Sequence, residues 1–277
     1  MRNIFKVISV FSLLVVPVTC FAEEKLNDHL TQTLMHKSGL KKQIDQIPAL
    51  LQYELNQQQQ KHKNLTDEDF NRISKLARQA FDAKSIYDDV QVYIESNLSA
   101  YDIKTVLEWL ESPLGKKITK LEEYSSTIEA QGEMELIAPK LLEENKNSAR
   151  IVKIKELDNL TGATEASVST VLNIQLAMMT SMSAATNADN QPSFEEIQDL
   201  VGRNKLKIQA AMETMGQIQF LYTYRTLTDE EIDMYIKFAG SESGKKYHSI
   251  TSKGINYAFV LAARGFGARI GMKMNRI

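Results

Sequence analysis

An all-α fold made of two related multi-helix halves, packed as a bundle-like array, is what this sequence predicts. Apolar residues recur at helical spacing through most of the chain after residue 22, and few runs alternate in the manner of strands. Glycine and proline number only 12 and 5 in 277 residues, so little interrupts a helix. A set of capped helix starts and a Ser-x-x-Gly-Lys-Lys signature occurs twice in the same order.

The first 22 residues read as a secretory leader. Arg2 and Lys6 form a positive start, Ile8 to Val18 an apolar stretch, and Cys20-Phe21-Ala22 puts small residues three and one positions before a cut. A permanent anchor would need about 20 apolar residues, more than are present before Pro17 interrupts the run. Lipidation of Cys20 would want a small residue before it and a leucine-like residue three before, where Thr19 and Pro17 stand. The expected organisation is 1–22 leader, 23–150 first helical repeat, and 151–277 second repeat with a basic end. The expected location is periplasmic or secreted.

Loss of Arg2 and Lys6 takes the 33 basic residues to 31 against 35 acidic, a net charge of −4. With no basic face evident, nucleic acid is excluded as a partner, because phosphate binding relies on clustered Lys and Arg. Cys20 is the single cysteine, so the processed chain forms no disulfide and rests on its core.

Four capped starts punctuate the chain. Thr66-Asp67-Glu68-Asp69, Ser99-Ala100-Tyr101-Asp102, Ser193-Phe194-Glu195-Glu196 and Thr228-Asp229-Glu230-Glu231 each precede apolar residues on one helical face. Their hydroxyls meet free backbone donors and their acids sit at the positive end of the helix dipole, which makes these carboxylates structural and not catalytic.

Residues 98–117 set against 227–246, a shift of 129, give six identities: Leu98/Leu227, Ile103/Ile232, Ser112/Ser241, Gly115/Gly244, Lys116/Lys245 and Lys117/Lys246. Trp109 falls opposite Phe238. At a shift of 127, Ile44, Ile47, Leu51 and Leu55 fall opposite Val171, Ile174, Met178 and Met182, and the caps Thr66 and Ser193 coincide. The signature predicts a tight helix corner: Ser112 caps a new helix, Pro113 occupies its first turn, and Gly115 lets the neighbouring helix approach. In the second copy Gly240 ends one helix, Ser241 caps the next, and Gly244 stands at the corner, with Glu242 in place of the proline.

At Trp109 to Lys117 the chain resembles a family of secreted bacterial proteins designated domain of unknown function 2059. The resemblance spans residues 87–130 and, more loosely, 216–259, where Glu242 departs from the proline. It implies a helical envelope domain and carries no activity or catalytic residue.

Motifs of chemistry are missing. His29, His36, His62 and His248 lie far apart or on polar stretches that read as exposed, without metal-ligand spacing. Gly240 to Gly244 has the glycines of a nucleophile elbow around Glu242, without its strand. Residues 265–271 miss the dinucleotide fingerprint by one position. No catalytic residue, metal or cofactor is expected.

Eight of the eleven methionines lie from Met178 onward. Methionine fills irregular cores and also adapts to apolar partners, so Met178, Met182, Met212 and Met215 are the candidates for an apolar binding groove. After Glu242 the chain carries no acid, and Phe266, Ile270, Met272 and Met274 alternate with Arg264, Arg269, Lys273 and Arg276. That segment reads either as a docked helix that frays or as a peripheral contact to an anionic membrane, ordered by its partner. The function expected is binding: docking of an envelope protein, or, as runner-up, carriage of an apolar small molecule or lipid.

Overall fold

A computed structural model describes residues 19–61, 66–186 and 191–274. Among them are thirteen helices and no strand, so the all-α expectation holds. They are α1 (Thr19–Lys37), α2 (Leu40–Lys61), α3 (Asp67–Ala80), α4 (Ala83–Asn97), α5 (Ala100–Glu111), α6 (Pro113–Ser125), α7 (Ile128–Asn145), α8 (Ala149–Thr161), α9 (Ala163–Ala184), α10 (Phe194–Arg203), α11 (Lys205–Thr223), α12 (Asp229–Ala239) and α13 (Glu242–Met274). Most of the leader read over 1–22 lies outside the described residues. No helix among the described residues is long and apolar enough to cross a membrane.

The caps form as their chemistry requires. Thr66, Ser99, Ser193 and Thr228 accept hydrogen bonds from the backbone N–H three residues on, at 3.2, 3.1, 3.2 and 3.2 Å. At Ser193 and Thr228 the carboxylates of Glu196 and Glu231 also reach back to the cap N–H, at 2.7 and 2.9 Å, completing capping boxes. Asp82, Thr127 and Ser148 cap α4, α7 and α8 in the same way without the acid three residues on, which is why pattern alone passes over them.

Element order repeats across the chain. Between α1 and α2 stands Gly39 at φ 74°, and between α8 and α9 stands Gly162 at φ 65°, the two glycines with left-handed backbone among the described residues. A capped helix, a second helix, another capped helix and the Ser-x-x-Gly corner follow in both halves, with α7 as connector.

The halves share their cores. One buried cluster joins Leu34, Ile86, Val90, Ile94, Ile103 and Val106 to Ala258 of α13. The other joins Leu114 and Ile118 of α6 to Ile154 and Leu157 of α8, Leu221 and Tyr224, and Ile232 and Tyr235 of α12. Trp109 and Phe238 pack against both.

The C-terminal segment is a continuation of α13, helical to Met274, and α9 is what orders it. A Cβ placed on Gly267 would lie 2.2 Å from the Met178 carbonyl oxygen, and one on Gly271 would lie 2.4 Å from that of Met182. The two helices thus run side by side there with backbones in contact, and glycines that would weaken an isolated helix become the condition for packing. Phe266 meets Phe81 edge-on with ring centroids 6.4 Å apart. Gly267→Val is expected to cost about 1–3 kcal/mol, since backbone must move to admit the side chain. A thermal melt indistinguishable from wild type would refute this close approach.

Candidate functional site

The two signature corners have one geometry. Ser112 and Ser241 each donate their backbone N–H to the carbonyl of the aromatic residue three before, Trp109 and Phe238, at 3.0 Å in both. Their side chains accept from Gly115 and Gly244 N–H at 3.0 and 3.1 Å. Pro113 takes the first helical position in one copy and Glu242 in the other. A Cβ on Gly115 would lie 2.1 Å from the Trp109 carbonyl oxygen, and one on Gly244 2.0 Å from that of Phe238. The glycines therefore admit the end of the preceding helix.

Across the molecule these corners face each other. Trp109 and Phe238, 129 positions apart, stack with centroids 4.7 Å apart and planes 8° from parallel. Lys117 binds Glu231 at 2.7 Å, while its counterpart Lys246 reaches Asp102, the counterpart of Glu231, at 3.4 Å. The contact that Lys117 makes to the second half is thus repeated by Lys246 to the first, the pattern of a two-fold interface. Asp102 and Glu231 are the third residues of capped helices, so the capping acids have a second role that capping does not reveal. The Ser99 hydroxyl, with Ser243 and Lys246 behind it, holds the buried Asp102 carboxyl below its usual range against the cost of burial. The half-exposed Lys117–Glu231 pair contributes at most about 1 kcal/mol. Apolar burial around the stacked rings holds the halves together.

Beside the stacked rings lies a cavity of about 190 Å³. Its wall is assembled from matched positions of the two halves: Ile118 and Tyr247, Thr119 and His248, Glu122 and Thr251, and, on the helix ends before the left-handed glycines, Ser38 and Thr161. Glu122 of α6 accepts hydrogen bonds at Oε1 from Tyr224 at 2.7 Å and Tyr235 at 3.1 Å. Burial pushes the Glu122 carboxyl above its usual range, partly opposed by those two hydroxyls. Burial also raises the phenols of Tyr224, Tyr235 and Tyr247. None of these residues is legible as a site in the sequence, because each sits at ordinary helical spacing among other polar residues.

His248 corrects the reading of an exposed polar stretch. Its sequence neighbours Lys245, Lys246 and Ser249 are exposed, but His248 is half-buried and turns inward toward Tyr235, Phe238 and Tyr247, with ring centroids 6.2, 6.1 and 5.0 Å away. Its Nε2 is sealed from solvent and has no hydrogen-bond partner, and the same holds for Thr251 Oγ1. Burial lowers the imidazole pKa to about 4. At neutral pH the imidazole is uncharged.

Because the unfolded chain binds a proton at His248 near pH 6.5 and the folded one only near 4, folding loses stability as pH falls across that window. The loss is of the order of 3 kcal/mol at its largest. Glu122, with its raised pKa, acts in the opposite sense and costs stability as pH rises above the ordinary carboxylate range. The difference between wild type and His248→Gln isolates the histidine contribution. Urea-unfolding free energies from pH 4 to 7 are expected to fall less steeply toward acid in the variant, and identical profiles would refute the buried neutral state.

The four candidate methionines are not brought together. Met178 and Met182 lie on α9 beneath Gly267 and Gly271 of α13. Met212 and Met215 of α11 line a separate groove of about 410 Å³ with Met134 of α7 and Ile218, and Met215 is 58% exposed. Met134, outside the candidates, is hidden by its isolation in the first half of the sequence. The groove is rimmed by Glu54, Gln131, Glu135 and Gln219, while Phe220 and Ala163 line both groove and central cavity. No family model, no curated protein and no solved structure matches this chain.

Proposed function

We propose that this chain is a non-enzymatic binding protein of the bacterial cell envelope, periplasmic or secreted once its leader is removed, that docks a protein partner. The observation supporting docking is the methionine groove: flexible apolar side chains open to solvent within a polar rim, the makeup of an adaptable contact surface. The runner-up, carriage of an apolar molecule or lipid, needs apolar residues closed around the cargo. Met178 and Met182 lie under α13, away from Met212 and Met215, which favours docking over enclosure. Membrane contact through the C-terminal segment is weakened as a reading by the half-burial of Phe266 and Ile270, although Arg264 and Arg269 face outward.

Native mass spectrometry of the processed protein isolated from envelope extract tests the reading. A protein companion is expected, and it should be lost when Met212→Glu and Met215→Glu are combined. A lipid adduct in its place, or a companion indifferent to both substitutions, would overturn docking at this groove.

A further inference from the structure

We propose that the central cavity between the two halves is a binding site for a small organic ammonium ion. The proposal goes beyond the docking groove and stands without it.

The first observation is the charge of the wall. Glu122 is the one carboxylate among the described residues that line the cavity, and no lysine or arginine contributes to that wall. Its hydrogen bonds are two phenolic donors at a single oxygen. Nearby Glu123 is already engaged by Lys42 at 2.7 Å, so that lysine is not left to neutralise Glu122. A part-buried carboxylate without a counter-charge is costly, and the cost is relieved by a ligand that brings one.

The second is the chemistry of the remaining surface. Trp109, Tyr235, Phe238 and Tyr247 present aromatic rings, which attract cations through their faces. His248 and Thr251 complete the wall, with His248 Nε2 and Thr251 Oγ1 themselves sealed from solvent. Burial holds His248 neutral, so it does not repel a cation.

Three ligand classes can be weighed on these groups. An anion would meet Glu122 and find no cationic donor in the wall. An apolar molecule would leave the Glu122 carboxylate without a counter-charge. A small alkylammonium supplies the missing counter-charge and places its methyl or methylene groups against the rings. The 190 Å³ is many times the roughly 10–15 Å³ that one water requires, so an ion of several heavy atoms fits.

Trp109 is the only tryptophan in the chain and belongs to the cavity wall, so its fluorescence reports occupancy directly. The probes are tert-butylammonium chloride and tert-butanol, nearly equal in shape and different in charge, titrated at constant ionic strength into the full processed chain at pH 7.5. Saturable change with tert-butylammonium is expected, with tert-butanol weaker by about tenfold or more. Glu122→Gln keeps an acceptor for the tyrosines and removes the charge, and should weaken tert-butylammonium by a similar factor. No saturable response to tert-butylammonium, or equal response to the alcohol, overturns the proposal on wild-type protein alone, whether or not the variant folds. A folded Glu122→Gln protein with undiminished binding overturns it as well.

Discussion

Placing any side chain at Gly115 or Gly244 is expected to destabilise the native fold strongly. A Cβ at either position falls near 2 Å from a carbonyl oxygen of the preceding helix, and the atoms in the way are backbone, which cannot swing aside as a rotamer would. Overpacking against side chains costs about 1–3 kcal/mol, and here even Gly115→Ala should reach the upper end of that range. Gly115→Leu and Gly244→Leu should exceed it, leaving little cooperative unfolding to measure. Gly132 is the control: it lies inside α7, and a Cβ there would meet nothing within 4 Å, so Gly132→Ala should stabilise by about 0.5–1 kcal/mol. Thermal melts followed by circular dichroism separate the cases. Equal melting of Gly115→Ala and Gly132→Ala would show that the corner tolerates bulk and that its glycine is incidental.

How much of this is legible in the sequence follows from what each feature depends on. Caps and corners are local: a hydroxyl, an acid three residues on, a proline in the first turn and a glycine after it decide the geometry within one turn of chain. They can be read at Thr66, Ser99, Ser193, Thr228, Ser112 and Ser241 from the chain alone. The partners of those residues are not local. That Lys117 finds Glu231, and Lys246 finds Asp102, depends on how two helix pairs 129 residues apart meet. The matched positions hint at an equivalence and are silent on mutual contact. Glu122 is invisible for the same reason, since its tyrosines come from α12 and the end of α11. His248 reads as exposed because its neighbours on the outer side of α13 are hydrophilic, a property that the next residue around the helix need not share. Methionine composition marks Met212 and Met215, which line one groove, but composition has no direction, and it groups with them two residues that a different helix covers.

Residue 150, where the second half is expected to follow the first, lies inside α8, and packing crosses between the halves. Ala258 completes the core of the first half, and Leu114 and Ile118 enter that of the second. Such exchange means that neither half buries its apolar face alone. The central cavity is a product of that arrangement. Positions that match across the halves line it, yet Glu122 faces Thr251 in the correspondence and His248 faces Thr119. The two walls therefore differ in chemistry where they meet, while Gly115 and Gly244 at the corners are the same.

The stacked pair at the centre gives the second large effect. Trp109→Ala is expected to cost about 3–5 kcal/mol, and Phe238→Ala about 3, because each truncation leaves a void where both buried clusters converge. The double variant should cost less than the two together, since either substitution already removes the 4.7 Å stack. The shortfall should include the roughly 0.5–1.5 kcal/mol that such ring pairs contribute beyond area. Tyr235 stacks on both rings, at 6.1 and 6.4 Å, so part of the coupling will pass through it and will diminish when the cycle is repeated in Tyr235→Leu. Urea denaturation followed by circular dichroism provides the measurement, as the tryptophan signal is lost with Trp109. Unfolding should remain a single transition in every variant, because the clusters share these two rings. Strict additivity, or two separable transitions in wild type, would show that the halves fold independently and that their stacking is a passive contact.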